Sequence, residues 1–297
     1  VSLPNVFLVG APKTGTTSLF TWLAGHPAVG APAVKEPMYY CDLEQPFSGP
    51  DADYLAEMVV RDEAAYRALY REVAGRPLRL DASTDYLSWP GTAARIAADV
   101  PDARVVAILR QPAERAWSEH LHLVRDGLET LSFREALEAE EERTRAGWNT
   151  LFRHVARSRY AAGLREYLDV FGPARVRVLL HEELVARPDE ARRELCAFLG
   201  IEPPDTPLPR ENPGGRPRSR LVEGMARGRV LPRWMKRAAV GLLGDRVRTL
   251  ADGVRRANLD RRALDPALRR ELTRTRFADD VRETAALLGR DLGHWLP

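Results

Sequence analysis

One lysine and a run of hydroxyls sit inside the loop Gly10-Ala11-Pro12-Lys13-Thr14-Gly15-Thr16-Thr17-Ser18-Leu19. The loop follows the apolar run Val6-Phe7-Leu8-Val9 and leads into Leu19, Phe20, Trp22 and Leu23 at helical spacing. The order is strand, loop, helix. Such a loop aims backbone N–H groups and the positive end of a helix dipole at one point, which suits a phosphate or a sulfate. Spaced glycines alone would signal no more than a tight turn. Lys13 and the hydroxyls of Thr14, Thr16, Thr17 and Ser18 make the loop an anion site. A nucleotide-hydrolysing P-loop carries lysine directly after its second glycine. Here Thr16 holds that place and Lys13 lies two residues before Gly15.

Two further segments carry chemistry. Lys35-Glu36-Pro37-Met38-Tyr39-Tyr40 follows Val29–Val34, where a short strand can end. Pro37 keeps Glu36 out of the helical region. Ligands of open α/β sheets bind outside the C-terminal ends of the strands, so Glu36 is expected to share a cleft with Lys13. In the third segment the apolar run Val105–Leu109 ends at Arg110, and Pro112 opens a helix in which Ser118 lies two turns on. A guanidinium and a hydroxyl converging there suit a second phosphate. Asp85, His120 and His122 remain rivals to Glu36 for a general base.

These residues need a scaffold to hold them. Runs consistent with buried parallel strands occur at Val6–Val9, Leu78–Leu80, Val105–Leu109 and Val176–Leu180. Helical patterns alternate with them at 16–25, 62–74, 91–98, 113–125, 132–146, 158–171 and 188–199. That alternation predicts an α/β fold with a P-loop-like open, mostly parallel sheet flanked by helices on both faces. Residues 203–218 form a break rich in Pro, Gly and Arg. Beyond it lies an arginine-rich, helical C-terminal region, with helices expected near 232–243, 266–274 and 277–289. The whole is expected to be one domain, 1–297, with a core at 1–202 and the closing loop and helical part at 203–297.

Composition bounds the partners. The net charge of +3 argues for no nucleic acid. No apolar run approaches the ~20 residues that span a bilayer, and no secretory signal is visible, so a cytoplasmic setting without a membrane span is expected. Cys41 and Cys196 have no metal or redox spacing and are expected as free thiols. Of 45 basic residues only Lys13, Lys35 and Lys236 are lysines. Two of these three fall in the segments chosen on other grounds, and an ammonium, a compact point charge, is not interchangeable with a guanidinium fork.

Together the three segments resemble the PAPS-dependent sulfotransferases. Gly10–Leu19 is similar to that family's 5′-phosphosulfate loop. Ile108–Ser118 is similar to its 3′-phosphate motif, in which arginine is followed by any residue, proline and, eight after the arginine, serine. The Lys-Glu-Pro segment resembles the branch with carbohydrate N- and O-sulfotransferases and bacterial relatives. The resemblance runs from Asn5 to about Gly200 and resumes at Asn212–Leu221 and Phe277–Leu296.

The resemblance implies a bacterial enzyme that moves a sulfuryl group from PAPS to a hydroxyl or amine of a small-molecule, glycolipid or saccharide acceptor, with PAP as product. It implies Lys13 on the leaving PAP and Glu36 as base. Pro12, Lys13, Thr14, Gly15, Thr16, Thr17 and Ser18 would hold the 5′ side of the donor, and Arg110 and Ser118 its 3′-phosphate. The family's late Arg-Lys-Gly clamp has no literal match; Gly214–Arg220, with Arg216 and Arg218, is the nearest. No metal is required, because the leaving group is already good. Ala82 and Met38 stand where carbohydrate enzymes often carry lysine and histidine, which counts against a heparan-type acceptor.

The acceptor loops near 41–60, 143–157 and 203–230 bring the aromatics Tyr39, Tyr40, Phe47, Tyr54, Trp148 and Phe152. The rival functions are a P-loop kinase or NTPase and a non-catalytic nucleotide- or glycan-binding module. The first needs lysine at 16 and a metal-holding aspartate after an apolar strand. The second would lack the loop lysine or the base.

Overall fold

In a computed structural model, the structure describes residues 3–43, 47–204, 206–208, 216–217, 259–260 and 263–297, with 216–217 and 259–260 described by backbone alone. Each of the four apolar runs forms a strand. β1 (Val6–Gly10), β3 (Leu78–Asp81), β4 (Arg104–Leu109) and β5 (Val176–Leu180) join a two-residue β2 (Val29–Gly30) in a sheet of order β2-β3-β1-β4-β5. Every neighbouring pair in it is parallel.

Period-two alternation sends successive side chains to opposite faces. Phe7, Val9, Val105, Ala107, Leu109, Val176, Val178 and Leu180 feed one buried cluster, and Val6, Leu8, Val106, Ile108 and Leu179 feed the other. The second cluster is covered by α1 (Thr16–Ala24) through Leu19, Trp22 and Leu23, and by a helix at Pro188–Leu199 through Leu195, Cys196 and Leu199. The first is covered by α4 (Thr92–Asp99), α5 (Pro112–Asp126) and α8 (Ala161–Phe171). The C-terminal α11 (Pro266–Leu272) and α12 (Ala278–Leu288), joined through a π turn, bury Leu272, Phe277 and Val281 in that same cluster, and the turn Gly293–Trp295 after them adds Trp295. Helices thus flank both faces, as the alternation predicts.

The helices differ in detail. The pattern at 62–74 gives only α3 (Glu63–Ala68); beyond it Leu69, Tyr70, Arg71 and Val73 each bond three residues back, so the chain winds in tighter turns. The pattern at 132–146 breaks at Ala139 into α6 (Phe133–Glu138) and α7 (Glu140–Arg145). There the Glu140 carboxylate accepts the N–H groups of Val155 (2.7 Å) and Ala156 (2.9 Å). Two helices were not expected: α2 (Ala52–Met58), which buries no side chain fully, and α9 (His181–Ala186), which starts directly at the end of β5. Pro188–Leu199 is then α10. The helix expected at 232–243 lies outside the described residues. A backbone pair, β6 (Arg216–Pro217) with β7 (Leu259–Asp260), is antiparallel and runs against α5.

At the end of β3 a buried polar knot ties the sheet to the Lys35–Tyr40 segment. The Asp81 carboxylate accepts from Tyr66 (2.6 Å), Tyr86 (3.0 Å) and Ser83 (2.8 Å). Ser83 Oγ in turn accepts the N–H of Met38, and the Tyr86 hydroxyl accepts that of Tyr40. Burial pushes the Asp81 carboxyl up to about 6 despite these three donors. Asp81→Ala leaves three buried hydroxyls without their acceptor and is expected to cost about 3 kcal/mol or more in a urea titration. A loss below about 1 kcal/mol would contradict the knot's structural role.

Candidate active site

The C-terminal ends of β1, β3, β4 and β5 face one edge of the sheet, and every segment singled out above emerges there. After β1 the chain turns through Gly15, whose φ of 101° favours glycine, and α1 begins at Thr16 with no side chain capping it. The N–H groups of that first turn have no intrahelical partner by construction, and the helix dipole adds positive potential. The buried Thr14 hydroxyl donates to the Ala11 carbonyl at 2.7 Å, so it shapes the loop from within. Thr16 is buried, whereas Thr17 and Ser18 are half-buried at the helix start.

Lys13 is half-buried, with φ 66°. Burial, and then the Arg125 guanidinium, hold its ammonium down at about 8, against the pull of Glu119, Asp126 and Glu36. Glu36 exerts the weakest of these three pulls. The Glu36 N–H donates to the Ala82 carbonyl at 3.1 Å, which fastens its segment to the end of β3. Its carboxylate is held on both oxygens. Lys35 Nζ donates to Oε1 at 2.7 Å and also to Thr17 Oγ1 at 3.3 Å, while Thr84 Oγ1 donates to Oε2 at 3.3 Å. Lys35 is thus the direct bridge between the carboxylate and the loop. Among the described residues, four other than glycine have positive φ: Lys13, Glu36, Met38 and Asp51. Three of the four lie in these two segments, and such conformations cluster at functional sites.

On the other side of β1, Arg110 directly follows β4. Its Nη2 makes a 3.3 Å contact with Glu114, its Nε is buried without a hydrogen-bond partner, and its carbonyl accepts from Tyr160 at 2.8 Å. The following helix is held from the C-terminal segment: Gln111 Nε2 donates to Thr273 Oγ1 (2.8 Å) and to the Trp295 carbonyl (3.3 Å). Ser118 is half-buried on α5, two turns along from Arg110. The side chain of Arg216 is not described, although its backbone in β6, with that of Pro217, runs beside α5; Gly214, Gly215, Arg218, Ser219 and Arg220 of the expected clamp lie outside the described residues.

His181 was not anticipated. It opens α9 at the end of β5, where its Nδ1 lies 2.8 Å from the Thr14 carbonyl; as the N–H tautomer it donates to that oxygen. Burial, and then Arg110, lower its pKa. One imidazole therefore links the glycine loop to the field of Arg110. The signal available in the sequence was its position, first residue after a buried strand.

The rival bases sit differently. Asp85 is buried in an ion pair with Arg157 (3.0 Å) and accepts from Thr150 at 3.2 Å. His120 is buried between Trp117 and Phe133. His122 faces Lys13 and Arg125, and burial together with those two cations pushes its pKa far below the ordinary imidazole range. Of the acceptor-loop aromatics, Tyr40 and Phe152 are core, Tyr39 stacks on Tyr66, Phe47 meets Trp89 edge-on, Trp148 packs under Arg143, and Tyr54 is exposed.

A model of the sulfotransferase family matches residues 4–205, about two thirds of the chain. The chain belongs to the sulfotransferase family. This sulfotransferase is similar to the crystal structure of a sulfotransferase from Alicyclobacillus acidocaldarius, at 36% identity and TM-score 0.77 over 99% of both chains. It is also 25% identical, over 68% of its length, to bifunctional heparan sulfate N-deacetylase/N-sulfotransferases from Drosophila melanogaster and Homo sapiens, of which it covers 20% and 22%. It thus spans about a fifth of the curated relatives it matches. The expected family and fold are the ones found. Among the described residues no helix is long and apolar enough to cross a membrane.

Proposed function

We propose that this chain transfers a sulfuryl group from PAPS to a hydroxyl or amine of a small-molecule, glycolipid or saccharide acceptor. The carrying observation is that the loop lysine, a doubly anchored carboxylate and an arginine with a buried, unpartnered Nε all emerge at one sheet edge. Lys13 feels the charge of Glu36, and His181 bridges the loop to the field of Arg110. Relatives named for N-sulfation of heparan sulfate support a saccharide among the candidate acceptors.

The roles follow from the chemistry. The first turn of α1, with Thr16, Thr17 and Ser18, would hold the 5′-phosphate. Arg110, whose buried Nε lacks a hydrogen-bond partner, would hold the 3′-phosphate with Ser118. Sulfuryl transfer, like phosphoryl transfer, is loose and in line, so the protein mainly positions groups and stabilises charge. As the bond between sulfur and the bridging oxygen breaks, negative charge grows on departing PAP, where Lys13 would meet it. As the acceptor atom bonds to sulfur, its proton would pass to Glu36. Lys35 and Thr84 hold that carboxylate in place. Asp85, spent on Arg157, and the buried His120 are poorer bases by position, and the lowered pKa of His122 makes it a weak one.

A screen of hydroxyl and amine acceptors with sulfur-labelled PAPS tests the reaction: label transfer with equimolar PAP release is expected. No transfer of sulfur label, with transfer of the γ-phosphate of a nucleoside triphosphate in the presence of Mg²⁺, would point instead to the kinase reading. The pH profile tests Lys13 separately. Its folded pKa is lowered to about 8, so the charged form dominates below that pH and is lost above it. The kcat/KM profile for PAPS, which reports the free enzyme, is expected to fall as pH rises through about 8. Lys13→Arg is expected to abolish that limb at a reduced plateau. A wild-type profile that stays flat well above this value would contradict the role.

A further inference from the structure

A second chemically competent cluster lies behind α5, outside the proposed transfer site. Ring nitrogens of His120 and His154 and a carboxylate oxygen of Glu129 lie within 4.8 Å of one another, and all three residues are buried. They come from α5, from the turn after it and from the segment between α7 and α8, so spacing along the chain does not reveal them. His154 is fully buried, and neither of its ring nitrogens has a hydrogen-bond partner. A buried polar group left so costs about 1–3 kcal/mol, which a ligand at that point would offset.

We propose that His120, Glu129 and His154 supply three ligands to a divalent transition metal that ties their segments together, of which Zn²⁺ best suits two imidazoles and one carboxylate, with water as the fourth ligand. The surroundings are those of a held ligand set. The carboxylate of Glu119 lies 3.7 Å from His154 Nδ1, in the place of the outer carboxylate that orients a metal-bound histidine. The backbone of His154 is pinned by Arg115 (2.9 Å) and Ser158 (2.6 Å), both donating to its carbonyl. Glu129 is oriented by Arg143 at 2.5 and 3.1 Å and by the N–H groups of Thr130 (2.8 Å) and Leu131 (2.9 Å). Phe133 packs against both imidazoles and Trp117 against that of His120, so apolar rings wall the cluster. Tetrahedral ligands about 2.0–2.1 Å from zinc stand roughly 3.4 Å apart, so closure needs an inward shift of about 1 Å by side chains alone. The ion would fasten the 127–157 segment to α5 two residues beyond Ser118. It takes no part in sulfuryl transfer, so it stands or falls independently of that reading.

The test uses the full chain purified without metal-affinity resin, saturated with zinc and desalted. About one zinc per chain is expected, and the cobalt-substituted protein is expected to show the intense visible bands of a low-coordinate site. His154→Phe, close in volume, and Glu129→Gln are each expected to lose the bound metal and the cobalt bands. Should either variant fail to fold, wild-type stoichiometry and the cobalt spectrum decide alone. Wild-type protein that retains no metal and shows no cobalt bands overturns the proposal. Folded variants that keep the wild-type metal content overturn it as well, by moving the metal elsewhere.

Discussion

Replacing Lys13 with alanine is expected to lower kcat by about 10²–10³-fold while leaving PAP affinity within about tenfold, the size of effect seen when one preorganised donor to a developing charge is removed. The expectation rests on where the ammonium sits. It is half-buried, so its field is screened little, and burial with Arg125 already holds its pKa at about 8. On the proposed reading, an anionic donor beside it would reverse that balance and keep it charged through the reaction. On that same reading, the ground state offers phosphates that the loop and Arg110 would hold without it. The lysine matters most when charge appears on the bridging oxygen, so the loss belongs in kcat more than in binding. Single-turnover transfer with calorimetric PAP binding separates the two. A variant that loses PAP binding in proportion to rate would make Lys13 a docking residue only.

Glu36→Gln is expected to cost a further class of rate, about 10²–10⁴-fold, with PAP affinity unchanged. Glutamine keeps the shape and can still accept from Lys35 or Thr84 through its amide oxygen, so the segment stays fastened at Ala82. What it loses is the ability to take a proton. The deficit is expected to shrink for acceptors whose hydroxyl is already acidic, since those need less help from a base. Asp85→Asn provides the contrast. It strips Arg157 of its partner and is expected to lower stability more than chemistry, because the charge left behind is buried. Near-normal turnover in Glu36→Gln would return the base to His122 or Asp85.

The parts of this molecule legible from sequence are those in which a local pattern and a chemical need coincide. β4 carries the buried run Val105–Leu109, followed by Arg110 and a proline at the first helical turn, and it folds as that pattern dictates. The glycine loop is legible for the same reason. The Lys35–Glu36 segment has almost no local pattern; the sheet rule about strand ends located it, and β2 itself shrinks to two residues. What stayed hidden depends on contacts between distant segments. Nothing near Asp81 announces that Tyr66 and Tyr86 will close on it, or that Glu140 will turn inward and break a helix. His181 becomes meaningful only when β5 lies beside β4, because only then does its ring reach the Thr14 carbonyl. The three segments of the His120–Glu129–His154 cluster are likewise brought together by packing, not by spacing.

The most direct measurement of the central claim is calorimetric binding of PAP, of AMP and of ADP with Mg²⁺ to the full chain and to Arg110→Ala. PAP and AMP differ only in the 3′-phosphate, so their ratio isolates the second anion site. The account predicts that PAP binds more tightly than AMP by about 1.5–3 kcal/mol, roughly 10- to 150-fold, and that Arg110→Ala removes most of that difference. Equal affinities for PAP and AMP, or binding of ADP with Mg²⁺ that matches PAP, would contradict it.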